Sequence, residues 1–212
     1  MHEVEAKFHV PSPETFNSIR SQKQIGGYEL SDQKIVLLGD TYFDTPHGFL
    51  FYHGASLRLR EKQGTYLITF KAKTESDYVR TELETEVTAS QAQDFLNGHF
   101  ADVRVAPIQA ALAYIETRPL SPVVQVENNR ETWFVMSEAN QVKVCFDVVA
   151  YTNLQGQGIC RYAEECELEL ELQEGDENFI PKLAELLSQQ YRLIPNSQSK
   201  YERAAALLGV LA

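Results

Sequence analysis

Residues 162–172 read Y-A-E-E-C-E-L-E-L-E-L. Glu165, Glu167, Glu169 and Glu171 recur at every second position, with Cys166, Leu168 and Leu170 between them. A period of two is the signature of a strand, and it sends the four carboxylates to one face and the apolar groups to the other. Four like charges on one face repel one another. Something positive must stand beside them, either basic side chains of neighbouring strands or bound cations.

Working outward from that strand, the same period recurs along the chain. Residues 2–10 put Glu3, Glu5 and Lys7 opposite Val4, Ala6 and Phe8. Residues 56–61 carry Arg58 and Arg60, 65–73 carry Lys71 and Lys73, and 80–87 carry Arg80, Glu82, Glu84 and Glu86. Asp147 falls in 142–151, and 35–43, 123–130 and 131–137 also read as strands. A merely solvated face mixes Thr, Ser and Gln among its charges; here acids and bases are segregated by strand. The opposite faces, read as Leu57 with Leu59, Leu67 with Thr69, and Cys166 with Leu168 and Leu170, are mostly apolar. Turning the charged faces inward and the apolar faces outward gives an α+β fold. It is a closed antiparallel β-barrel of about eight strands forming a charged tunnel, with helices packed outside. Short connections point to an antiparallel meander.

Five helices are expected. Ser12 caps one that starts at Pro13. Thr88 with Gln91 forms a capping box for a second, ending at Asn97-Gly98. Residues 107–115 form a third, and Asp176 caps a fourth with Phe179, Ile180, Leu183, Leu186 and Leu187 on one face. Ser199 with Glu202 opens the last.

The chain of 212 residues is sized for one domain, 1–212. No apolar run approaches the roughly 20 residues of a membrane helix. The acidic start MHEVEAKFHV is no signal peptide. Cys145, Cys160 and Cys166 are too few, and odd in number, for a disulfide framework, which fits the cytoplasm. A formal net charge of -11 argues against nucleic acid as a partner. It is compatible with a polyanionic ligand only where the bases are gathered in one place.

Clustered carboxylates favour a hard cation, Mg²⁺ or Mn²⁺. Zinc would want paired histidines, and His2, His9, His47, His53 and His99 are scattered. Rows of Arg and Lys beside the acids suit a polyphosphate, with a cation neutralising charge as it develops. No P-loop is present.

Glu3-Val4-Glu5-Ala6-Lys7 is an E-x-E-x-K motif. It is followed by Thr41-Tyr42-Phe43-Asp44-Thr45-Pro46, Leu57-Arg58-Leu59-Arg60, a T-x-K at Thr69 to Lys71, an R-x-E-x-E at Arg80 to Glu84 and a late E-x-E. In that order, over essentially the whole chain, these motifs resemble the CYTH superfamily, the triphosphate tunnel metalloenzymes. The resemblance implies an eight-stranded tunnel acting on a small-molecule triphosphate with Mg²⁺ or Mn²⁺. By motif, Glu3, Glu5, Glu82, Glu84, Asp147, Glu167 and Glu169 would be metal ligands. Lys7, Arg58, Arg60, Lys71, Arg130 and Lys200 would contact phosphate, with Lys73 flanking them. Glu3, Glu5, Lys7, Glu82, Glu84 and Glu169 would form the catalytic set. Tyr42 and Phe43 read as packing, Asp44 and Pro46 as a turn. The chain ends soon after the expected barrel, so no appended helical phosphate-binding domain is expected. The activity expected is hydrolysis of a triphosphate, inorganic tripolyphosphate first. A class IV adenylate cyclase, a thiamine triphosphatase and a non-catalytic binder of polyphosphate or nucleotide stay open.

Overall fold

The computed structural model describes residues 2–75, 79–100, 102–137, 139–155 and 162–209; Cys160 lies outside them. The first half runs β1 (His2–His9), α1 (Pro13–Arg20), β2 (Gln24–Ile25), β3 (Tyr28–Asp44), α2 (Phe49–Tyr52), β4 (Ala55–Lys62), β5 (Thr65–Lys73) and β6 (Val79–Val87). The second runs α3 (Ala89–Leu96), α4 (Ala106–Ile115), β7 (Ser121–Met136), β8 (Gln141–Asn153), β9 (Tyr162–Glu174), α5 (Phe179–Tyr191), β10 (Ile194–Pro195) and α6 (Lys200–Leu208).

The eight long strands pair in the order β1-β6-β5-β4-β3-β7-β8-β9, and β9 pairs back onto β1 at Glu5–Glu171, Lys7–Glu169 and His9–Glu167. Every pairing is antiparallel, so the sheet returns to its first strand as a barrel. It is not a plain meander. β4-β5-β6 and β7-β8-β9 each run consecutively, but β3 lies against β7, and β1 sits between β6 and β9.

Residues 123–130 and 131–137, read from sequence as two strands, form one continuous β7, since no turn residue separates Arg130 from Glu131. β3 starts at Tyr28 rather than at 35. A register shift between Ser31 and Lys34, with Asp32 at φ 60, breaks the alternation there and hides the strand's first turn of pattern.

Two apolar cores lie outside the barrel, under helices. Val4, Ala6 and Phe8 of β1 join Leu168 and Leu170 of β9 beneath Phe16 and Ile19 of α1 and Ile180, Leu183 and Leu187 of α5. Leu57, Leu59, Ile68 and Phe70 of β4 and β5 pack under Phe95 of α3 and Ile108, Ala111 and Ile115 of α4. Each fully buried leucine here contributes on the order of 1.5–3 kcal/mol. One assignment is corrected. Leu67 and Thr69 share the face of Lys71 and point inward, because the count of two from 71 reaches them; Ile68 and Phe70 point out.

The caps at Ser12, Thr88 and Ser199 form as the sequence predicts. Ser12 Oγ accepts from the Thr15 N–H, and the other two close full capping boxes. α5 differs: Asn178 occupies its N-cap without a side-chain bond, while Asp176 accepts from the Asn178 N–H at 3.0 Å. Two residues too far from the first turn, Asp176 caps a turn and not the helix. On α5, Leu186 faces solvent, while Ala184 is buried with Ile180, Leu183 and Leu187.

A third apolar cluster fills one end of the barrel. Tyr42, Val124, Val126, Val149 and Tyr151 meet Tyr201, Ala204 and Leu208 of α6. Tyr42 and Tyr201 stack with ring centroids 5.3 Å apart. The Tyr201 hydroxyl donates to Asp44 at 2.8 Å. Asp44 also accepts from the Leu50 and Phe51 N–H groups at the start of α2, which fixes the turn at Thr45-Pro46. α6 is thus a stopper whose first residue reaches further in.

Candidate triphosphate and metal site

Glu3, Glu5 and Lys7 of β1, Arg58 and Arg60 of β4, and Lys71 of β5 line one cavity of about 550 Å³. Glu82 and Glu84 of β6, Arg130 of β7, Glu169 of β9 and Lys200 of α6 complete its wall. The residues are far apart in sequence; the strand period brings them together by turning each onto the inner face. Asp147 and Glu167 are fully buried just behind this wall, screened by Lys200. Lys73 is placed apart: its ammonium pairs with Glu202, and its side chain is nearly half exposed.

The bases and acids interlock. Lys71 pairs with Glu3 and lies 3.3 Å from Glu82, while Lys7 pairs with Glu5. Arg60 grips Asp40 through two hydrogen bonds of 2.7 Å, and Arg58 lies 3.6 Å from Asp40 and 3.9 Å from Glu84. Arg130 donates twice to Asp147, at 2.7 and 2.6 Å, and also to Glu169. Lys200 donates to Glu169 at 2.7 Å, lies 2.9 Å from Asp147 and bonds Glu167. Arg203, one turn along α6, clamps Glu165 and Glu167.

These contacts set the proton affinities. Burial drives the Glu5 carboxyl up, but Lys7 and Lys71 outweigh it and hold the group near 2. Burial wins at Glu3, raising its carboxyl despite Lys71. Asp147 and Glu169 resist burial and stay ionised beside Arg130 and Lys200. Glu167, buried beside Glu169, is pushed up. The Lys71 and Lys200 ammoniums stay charged against desolvation because acids surround them.

The acids fit a hard cation. Carboxylate oxygens of Asp147, Glu167 and Glu169 lie within 4.8 Å of one another, all buried. An anion also fits beside them. The Arg58 Nε and both polar atoms of the Asn128 side chain are buried without a hydrogen-bond partner among the described residues. A buried guanidinium N–H without an acceptor is a place for an anionic oxygen.

Sequence reading missed several residues here. Asp40, fully buried, shares the inner face of β3 with Tyr42, two residues on; this spacing could have found it. Arg203 follows Lys200 by three on α6, the spacing of one helix face. Tyr42, read as packing alone, both packs against Tyr201 and lines the cavity.

Comparison with known proteins agrees with this architecture. The inorganic triphosphatase of Haemophilus influenzae (strain Rd) is 24% identical over 217 residues, covering 98% of this chain and 55% of that protein. The chain therefore spans about half the length of this curated relative. The crystal structure of a proposed adenylate cyclase from Bacillus halodurans superposes with a TM-score of 0.68 at 21% identity, over 95% of this chain and 96% of that one. A proposed adenylyl cyclase from Hippeastrum, HpAC1, described as having a dominant triphosphatase activity, gives 0.68 at 16% identity, over 96% and 95%. At these identities the structures speak for the fold. Residues 1–205 match the CYTH domain, and with the barrel and its charged interior in place, the chain belongs to the CYTH domain family.

Proposed function

We propose that this protein hydrolyses a triphosphate with the help of Mg²⁺ or Mn²⁺, and that inorganic tripolyphosphate is its foremost substrate. The observation that carries this reading is the cavity wall itself, where carboxylates and cationic side chains alternate around one space. A nucleobase or a thiamine ring needs an apolar or aromatic shelf. Tyr42 is the aromatic residue of this wall among the described residues, and its ring is already stacked on Tyr201. A small, fully anionic substrate suits such a wall better. The likeness to the Haemophilus inorganic triphosphatase supports the same choice.

Arg58, Arg60, Lys7 and Lys71 would hold the non-bridging oxygens and keep the chain in line for attack. Arg130 and Lys200 would bear on the phosphoryl group nearest Glu169. A divalent cation held by the buried acids, with Glu3, Glu5, Glu82 and Glu84 beside them, supplies positive charge to the phosphate oxygens. Glu3, whose carboxyl burial raises, is suited to accept a proton from the attacking water. The water oxygen bonds to the terminal phosphorus, the bridging P–O bond breaks, and phosphate and pyrophosphate leave.

The test is product analysis with tripolyphosphate, ATP and thiamine triphosphate, each with Mg²⁺, Mn²⁺ or EDTA, on the wild type and Glu5→Gln. Metal-dependent phosphate release, fastest from tripolyphosphate and abolished in a folded Glu5→Gln, is expected. Cyclic AMP and pyrophosphate from ATP, or full activity in Glu5→Gln, would overturn the reading.

A further inference from the structure

The row of bases on β4 does not stop at Arg60. Lys62, the last residue of the strand, continues the spacing of two and lines the same cavity. From Arg58 to Lys62 the row spans about 13 Å at the rise of a strand, longer than an extended triphosphate. The barrel end it reaches is opposite the one that α6 stops.

Two more lysines converge on this rim. Lys34 of β3 stands opposite Thr132, on the face of β7 that Arg130 turns inward. Lys143 of β8 stands opposite Glu171 and lines the cavity. Burial, then Lys34, Arg60 and Lys143 together, lower the proton affinity of Lys62, so these cations feel one another across the opening. Lys143 is neutralised by Glu171, whereas Lys34 and Lys62 form no ion pair among the described residues. Glu84 of β6 opposes this shift, but with a smaller effect than Lys34, Arg60 or Lys143. In a chain of net charge -11, like charges crowded at the mouth of an anion-binding cavity call for a ligand.

We propose that Lys62 and Lys34 form an outer anion subsite that takes phosphates beyond the third of a linear polyphosphate. Chains longer than tripolyphosphate are then the more tightly bound ligands. This rests on the triphosphatase reading for its orientation, with the reacting end at the buried acids. It is read by binding as well as by turnover.

The experiment measures the affinity of tripolyphosphate and of a linear polyphosphate of defined length, five to eight phosphates, by calorimetry, together with KM for both. The wild type, Lys62→Ala and the double variant Lys34→Ala/Lys62→Ala are compared. The longer chain should bind the wild type more tightly, by roughly three- to tenfold. Lys62→Ala should remove most of that advantage, the double variant all of it, and both should keep the wild-type affinity for tripolyphosphate. Equal affinities for the two ligands in the wild type would overturn the subsite. So would an advantage that survives both substitutions, or a loss that falls equally on tripolyphosphate. Tripolyphosphate turnover without any preference for length would sink the subsite alone. Tight, length-dependent binding without turnover would sink the hydrolase reading and keep the subsite.

Discussion

Replacing Lys200 by methionine removes one charge from a buried, interlocked set. Asp147, Glu167 and Glu169 are matched there by Lys200, Arg130 and Arg203. The Lys200 side chain is 5% exposed, and methionine nearly matches its volume, so little packing is lost. What remains is a carboxylate without its partner in the interior. Breaking a buried pair by removing one member costs about 3–5 kcal/mol. Glu167, whose carboxyl burial already raises to about 8, can stay protonated without Lys200, which sets the outcome toward the lower figure. For a chain of this size, each kcal/mol lowers Tm by about 2–4 °C, so a fall of roughly 6–20 °C in EDTA is expected. A divalent cation should then be bound more readily than in the wild type, where it must first displace an ammonium. At a concentration 100 times its Kd it returns about 2.7 kcal/mol. Thermal unfolding of both proteins in EDTA and across a Mn²⁺ titration is the assay. Two results would refute the reasoning: no loss of Tm in EDTA, or an equal gain from Mn²⁺ in both proteins.

Other expectations follow from the same contacts. Burial pushes the Asp40 carboxyl up, but Arg60 and Arg58 hold it near 2. A folded value below the unfolded one means stability of about 2 kcal/mol that is present above pH 4 and lost as the pH falls toward 2. The urea-unfolding difference between the wild type and Asp40→Asn should therefore be large at pH 7 and shrink below pH 4. Leu187→Ala, at a fully buried position of α5, should cost about 2–5 kcal/mol in the same assay and leave substrate KM unchanged. Tyr201→Phe deletes the hydroxyl that donates to buried Asp44 and should cost about 1–3 kcal/mol. Burial pushes the Cys145 thiol to about 11, so it should resist alkylation by iodoacetamide at pH 8 until urea unfolds the protein.

The alternation of β1, β4, β6 and β9 was legible because charged residues recur at every second position in each, with mostly uncharged ones between them. The first part of β3, from Tyr28 to Lys34, was not, since its register shift between Ser31 and Lys34 interrupts the count ahead of the stretch that could be read. The fused β7 was misread because its change from Arg130 to Glu131 looks like a boundary in composition but carries no turn chemistry. Within the candidate site, single-strand rows could be read one strand at a time. Partnerships across the barrel could not. The pairing of Arg60 with Asp40 depends on which strands become neighbours, and that of Lys73 with Glu202 on where α6 docks. Neither is a property of local spacing.

The strand that closes the barrel is also the earliest of the barrel's strands in chain order. His9 pairs with Glu167, about 160 residues later, and β1 meets β9 nowhere closer in sequence than that. At a synthesis rate of roughly 5–20 residues per second, β1 would wait on the order of 8–30 s on the ribosome before β9, its second partner after β6, exists. Throughout that interval Val4, Ala6 and Phe8 have no β9 and no α5 to cover them. Such late, long-range pairing slows folding and lengthens the exposure of sticky strands. Biogenesis of this barrel should therefore draw on chaperones that shield β1 as it emerges, and refolding from urea should lose yield steeply as protein concentration rises.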